Sequence, residues 1–192
     1  MSSKWNIEKM KLTNPEKLTL VMLSEIYEKL GISGGNNIDP NFIKEAIYSD
    51  NTWALDWKYS GIFYDKTDPN PPEVTKVVDI LDMWDFIEMS YDELSTAEKS
   101  ELAVKAEPFG KNVRFKGFDG NNETEHLGIA DFLINKLDRF SRFKGRDLNS
   151  HAPSLAIHAR MYKVFEPIRN DLDGRGLDVD ELAAILNAKK YS

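Results

Sequence analysis

The stretch Pro72-Glu-Val-Thr-Lys-Val-Val-Asp-Ile-Leu-Asp-Met-Trp-Asp-Phe-Ile-Glu-Met-Ser-Tyr-Asp-Glu-Leu94 decides the fold class, because its apolar residues recur at helical rather than alternating spacing. Projected at about 100° per residue, Val74, Val77, Ile80, Leu81, Trp84, Ile87, Tyr91 and Leu94 share one face. Asp79, Asp82 and Glu93 fall opposite. Glu88 projects into the apolar face, where a charge is costly unless it is paired.

Helix signals recur on both sides of this segment. Asn14-Pro15 and Asp39-Pro40 each set an amide-accepting side chain before a proline suited to a first turn. They predict one helix from Asn14 to Gly31, carrying Leu18, Val21, Met22, Ile26 and Leu30, and a short one through Phe42, Ile43, Ala46 and Ile47. The first helix reads as central, because Leu20, Leu23 and Tyr27 widen its apolar face beyond a surface stripe. Asn51-Thr-Trp53 begins a third element, and the nearly alternating aromatics from Trp53 to Tyr64 leave it open between helix and strand. Asp65-Lys-Thr-Asp-Pro-Asn-Pro-Pro72 is a loop, and Ser33-Gly-Gly-Asn-Asn37 a turn.

Beyond Leu94, Ser95-Thr-Ala-Glu98 is a capping box, and Leu177-Asp-Val-Asp-Glu181-Leu182 adds a hydrophobic staple to a second. Lys111 to Phe118 reads as extended. Asp119 or Asn122 caps a helix to about Phe143, with Leu133, Ile134, Leu137 and Phe140 inward; Asn149 or Ser150 caps another that Pro167 interrupts. The expected core is Leu18, Met22, Ile26, Leu81, Trp84, Leu133, Leu137, Met161, Ile185 and Leu186. The fold class is therefore all-α: a multi-helix bundle with at most a short extended segment near 112–118.

The bulk numbers narrow the function. Of 192 residues, 41% are hydrophobic and 30% charged, ordinary values for a globular chain. A net charge of -7 argues against a dedicated nucleic-acid coat, whose affinity comes mainly from neutralising phosphates. With no cysteine there is no disulfide and no thiolate ligand or nucleophile. The apolar runs are too short to span a bilayer, and Met1-Ser-Ser-Lys-Trp lacks a signal core, so a cytoplasmic location is expected.

Three segments are too particular for ordinary surface: Val113-Arg-Phe-Lys-Gly-Phe-Asp-Gly-Asn-Asn-Glu-Thr-Glu-His-Leu-Gly128, Arg139-Phe-Ser-Arg-Phe143 and Asn149-Ser-His-Ala-Pro153. Together they resemble the YfbU family, small bacterial proteins without an established biochemical activity. The resemblance implies a helix at Trp53 and one continuous domain from about 12 to 190. Within it the sequence suggests an aromatic-rich helical subdomain over 1–66 and a C-terminal helical bundle over 72–192.

Candidate chemistry is sparse. Arg114, Asp119 and Glu123 lie in the family-like segment, where an arginine among carboxylates can organise a polar core or a site. Arg139, Arg142, Lys144 and Arg146, interleaved with Phe140 and Phe143, could grip a phosphate backbone; packing against the acidic region between Pro71 and Gly110, of the same chain or a second copy, is the favoured alternative. Arg146 and His151, five residues apart and beside Asn149, resemble the Arg-x4-His motif of HEPN ribonucleases, which implies a proton-carrying histidine and an arginine on the phosphorane. His126 reads as a core residue, and His158 lacks the spacing of a zinc pair. Asp171-Leu-Asp-Gly-Arg-Gly176 begins like a calcium loop, but Arg175 and Leu182 stand where its fifth and twelfth positions need oxygen ligands. No cofactor and no metal is expected. The sequence favours a non-enzymatic regulatory or interaction protein acting as a homodimer, on the aromatic density at Trp53–Tyr64 and the complementary charged regions. A metal-independent ribonuclease or RNA-binding protein is the alternative.

Overall fold

A computed structural model describes residues 12–32, 38–62 and 70–190, so the turn expected at Ser33–Asn37 and most of the loop expected at 65–72 lie outside the described residues. The chain divides into two compact units, residues 1–72 and 73–192. The described residues are helical, with no strand beyond a single parallel bridge between Phe118 and Asn149. No helix among them is long and apolar enough to cross a membrane.

The first unit holds α1 (Asn14–Lys29), α2 (Pro40–Tyr48) and α3 (Trp53–Lys58). Thr13 caps α1 one residue before the expected position, in a reciprocal box with Glu16, and Asp39 caps α2 by accepting the Phe42 amide at 3.1 Å. Trp53 begins a helix that runs to Lys58, so Trp53 and Trp57 do not belong to a strand; Phe63 and Tyr64 lie outside the described residues. Phe42, Ala46, Ile47, Trp53, Ala54 and Leu55 form the core. Asn51 accepts the Trp53 indole N–H at 3.0 Å, which satisfies a donor in that core.

The expected central helix is a correction. In α1 only Ser24 is buried, while Leu18, Met22, Ile26 and Leu30 are 61%, 54%, 51% and 68% exposed. Lys17 pairs with Asp50 at 3.1 Å and Glu28 with Lys44 at 2.7 Å. These ties flank buried Ser24 and half-buried Leu20 and Tyr27, which line one depression with Pro40 and Ile43 of α2, so the helical period is right but the row Leu18, Met22, Ile26 and Leu30 stays at the surface.

The second unit contains α4 (Pro72–Glu93), α5 (Thr96–Lys105), α6 (Thr124–Asp131), α7 (Leu155–Asn170) and α8 (Val179–Asn187). The two expected capping boxes form, Ser95 with Glu98 and Asp178 with Glu181. Val77, Leu81, Met83, Trp84, Ile87, Leu102, Leu133, Ile134, Met161, Phe165, Leu182, Ile185 and Leu186 close the core.

Three details depart from the expected helices. After α6 the chain widens into a π turn, Phe132–Lys136, where the Leu137 amide reaches the Phe132 carbonyl at 3.1 Å and the Arg139 amide reaches Leu133 at 2.9 Å. This ends the helix well before Phe143 and leaves Leu137 and Phe140 half-buried at the rim. Pro167 does not interrupt α7, since Met161 and Phe165 are buried before it and Arg169 beyond it pairs with Asp82 of α4 at 2.9 Å; packing overrides the lost amide bond. Nor does Asn149 or Ser150 cap α7: the helix starts at Leu155, and its capping acceptor comes from Glu123.

Candidate functional site

The particular residues of the sequence converge in the second unit, in two linked polar assemblies. The first is built on Glu88, which is fully buried in α4. Its carboxylate accepts both arms of Arg146 at 2.9 Å and the Phe115 amide at 2.7 Å. A planar guanidinium fits this forked geometry, which a lysine could not reproduce. Around it Arg142 reaches Asp85 and Asp92 at 2.9 Å each, and Arg114 reaches Asp92 at 3.0 Å. The basic segment thus discharges onto the acidic helix of its own chain. Arg139 is exposed at the π-turn exit, and Lys144 pairs with Asp138.

The second assembly clips the family-like segments together. The Phe118 amide donates to the Leu148 carbonyl at 2.9 Å, and the Ser150 amide to the Phe118 carbonyl at 3.0 Å. Gly117 makes this approach feasible: it has φ +88°, and a Cβ there would lie 1.6 Å from the Leu148 carbonyl oxygen. Asn149 accepts the Gly120 and His151 amides at 3.0 and 2.9 Å. Asp119, nearly fully buried, accepts the Asn121 amide at 3.0 Å and the Asn122 side-chain amide.

Glu123 occupies the centre of the clip. Its carboxylate accepts from the Ser154 and Leu155 amides at 2.7 and 2.8 Å, the Ser154 hydroxyl at 2.7 Å and the Asp119 amide at 2.9 Å. Burial pushes its pKa up, but the hydrogen bonds from Leu155, Asp119 and Ser154 outweigh this and hold the group below its ordinary value. A charge at the amino end of α7 also meets the positive pole of the helix. Beneath it, the Trp84 indole donates to His158 Nδ1 at 3.1 Å, so His158 carries its proton on Nε2, 3.3 Å from the Gly117 carbonyl. Burial holds His158 down at about 4, neutral at physiological pH.

Of the sequence candidates, Arg114, Asp119, Glu123, Arg142, Arg146 and Asn149 all lie in these assemblies, and His151 does so only through its backbone. The His151 side chain is 73% exposed, with Asp147 4.0 Å away, and its backbone takes φ +53°. Arg146 lines a depression of about 470 Å³ with Thr124, Leu127, Gly128, Asp131 and Asn149, to which His151 does not contribute. Arg146 and His151 therefore do not converge on one opening. His126 is half-buried, and its Nε2 has no hydrogen-bond partner. In the calcium-like loop Arg175 pairs with Glu181 at 2.6 Å. No group of three or more potential ligands that could hold a metal occurs among the described residues. Sequence reading missed Ser154 and the acceptor role of Glu123 at α7, because no local spacing links residues so far apart.

The fold and its polar clip define a class: an all-helical protein whose distinctive residues secure helix ends and a buried carboxylate. The chain belongs to the YfbU family, whose domain matches residues 10–188. A UPF0304 protein of Methanocaldococcus jannaschii is 31% identical over 117 residues, which cover 58% of this chain and 65% of that protein's length. No solved structure matches the chain.

Proposed function

We propose that the protein is a helical interaction module whose partner is a second copy of itself, joined through α1. The observation that carries this is the row Leu18, Met22, Ile26 and Leu30, each more than half exposed, with Leu23 beside it at 56%. A row at i, i+4, i+8 is a ridge that packs into the groove between the same rows of another helix. Burying one such side chain fully contributes about 1.5–3 kcal/mol, so a ridge left in water is a surface for association. The charges favour an antiparallel second copy: α1 has Glu16 in its first turn and Lys29 in its last, so that order brings unlike charges and unlike helix poles together.

This reading is preferred to an aromatic surface at Trp53–Tyr64, since Trp53 is buried and Trp57 and Tyr59 are half-buried, while Phe63 and Tyr64 lie outside the described residues. It is preferred to RNA cleavage because Arg146 commits both arms to Glu88 while His151 stands apart. Light scattering on the intact chain at tens of micromolar should report a dimer, as this exceeds the dissociation constants of ordinary stable dimers. Joint Met22→Glu and Ile26→Glu replacement should give a monomer with unchanged helical circular dichroism. A monomeric parent protein, or a dimer that survives both replacements, would refute the proposal.

A further inference from the structure

Between α1 and α2 lies a cavity of about 420 Å³, lined by Leu20, Ser24 and Tyr27 of α1, by Ile38, and by Pro40 and Ile43 of α2. Leu23, Ile26, Leu30 and Ile32 also line it and are exposed, so it opens to solvent. An apolar hollow with a few polar groups, of about 300–1,000 Å³, is the usual form of a small-molecule site.

Ser24 is the exception in this lining. It is 4% exposed, yet among the described residues no hydrogen bond engages its hydroxyl. Thr19, on the same helix, donates to the Pro15 carbonyl one turn back at 2.8 Å; Ser24 makes no such bond. Burying a hydroxyl without a partner is costly, and such groups are uncommon in folded proteins. Apart from half-buried Tyr27, Ser24 is the one hydrogen-bonding side chain of the lining.

Charge decides the class of ligand. No charged residue among the described ones lines the cavity. Glu25, Glu28, Lys29 and Lys44 line a separate depression, where Lys44 and Glu28 pair at 2.7 Å. An ionised ligand would lose its water in the cavity and meet no counter-charge.

We infer that this cavity binds a neutral, chiefly aliphatic molecule bearing one hydroxyl or carbonyl group, whose oxygen meets the Ser24 hydroxyl. The hydrocarbon part packs against Leu20, Tyr27 and Ile43. The site adjoins the α1 ridge but does not depend on its association, since Leu18 and Met22 take no part in the lining.

The test titrates octanol, and octanoate as its charged counterpart, into the intact chain by calorimetry, with isoleucine methyl resonances mapping the site. Octanol should saturate at one molecule per chain and shift the methyls of Ile38 and Ile43. Octanoate should bind at least about tenfold more weakly, a small share of the cost of stripping water from a carboxylate. Ser24→Ala should weaken octanol binding by about threefold to tenfold, the net worth of one hydrogen bond. Ile43→Trp, which fills the cavity from α2, should abolish it; if that variant fails to fold, the methyl map of the unaltered protein still decides. Shifts confined to other isoleucines, octanoate binding as tightly as octanol, or a Ser24→Ala variant with unchanged affinity would each overturn the inference. Octanol binding by Met22→Glu but not by the parent would show a second copy filling the cavity, and would overturn it as well. A monomeric parent that still binds octanol refutes the association through α1 and leaves this site standing.

Discussion

The two units treat their apolar residues in opposite ways. Among the described residues, Leu18, Met22, Leu23, Ile26, Leu30, Ile32, Tyr48 and Ile62 of the first unit are exposed large hydrophobic residues, and of the second unit's described residues only Val104 is. The second unit instead buries charge, with Glu88 and Asp119 nearly or wholly inaccessible and each satisfied by neighbours of its own chain. The contrast teaches that a burial pattern distinguishes a self-sufficient region from one with a face still to cover. A composition averaged over the chain conceals it.

The largest effect should come from orphaning the buried charge. Arg146→Ala leaves Glu88 with the Phe115 amide and a more distant Arg114, and should lower stability by about 3–5 kcal/mol in chemical denaturation. A loss under 1 kcal/mol would mean that the pair is not buried in solution. Leu133→Ala, in the core of the same unit, should cost about 2–5 kcal/mol. Leu18→Ala on the α1 ridge should change the stability of the monomer by no more than about 0.5 kcal/mol while weakening association. Equal costs at the two leucines would erase the distinction between the units.

A pH series sharpens the account of the second unit. His158 has a folded pKa of about 4 against an ordinary 6.5, so the unfolded chain binds the proton first. Its contribution is complete above pH 6.5 and is lost as pH falls toward 4, by about 3 kcal/mol in all. His158→Gln should flatten that part of the stability curve, and an unchanged slope would contradict the buried neutral imidazole. Glu123, also held below its ordinary value, adds a loss at still lower pH as its carboxylate takes up a proton. Glu123→Gln should lower stability by about 1–3 kcal/mol, less than the loss of Arg146, because the amide retains one acceptor for the end of α7.

What the sequence made legible was local. The boxes at Ser95–Glu98 and Asp178–Glu181 could be read because both partners lie within one turn, and Glu88 stood out as a charge on an apolar face. The sidedness of α1 was not legible: periodicity tells which residues share a face, not what that face meets. The end of the helix after Lys136 was also hidden, because Asp138 and Phe140 adopt left-handed φ values of 52° and 50° where no glycine marks the turn. The candidate residues Arg114, Asp119, Glu123, Arg142 and Arg146 were visible as polar residues in particular segments. Their pairing with α4 and α7 was not, since it depends on contacts such as Arg146 to Glu88 that only the folded chain creates.

The absence of cysteine offers a direct test of the central claim, that α1 is the face the protein shares with its own copy. Met22→Cys, on the ridge, and Val104→Cys, at the 79% exposed residue of the second unit, would be oxidised side by side at micromolar protein and the covalent dimers followed over time. Met22→Cys should cross-link rapidly and nearly completely, with excess Met22→Glu, Ile26→Glu protein failing to compete, while Val104→Cys stays monomeric. Equal cross-linking at both sites, or faster cross-linking at Val104→Cys, would contradict it.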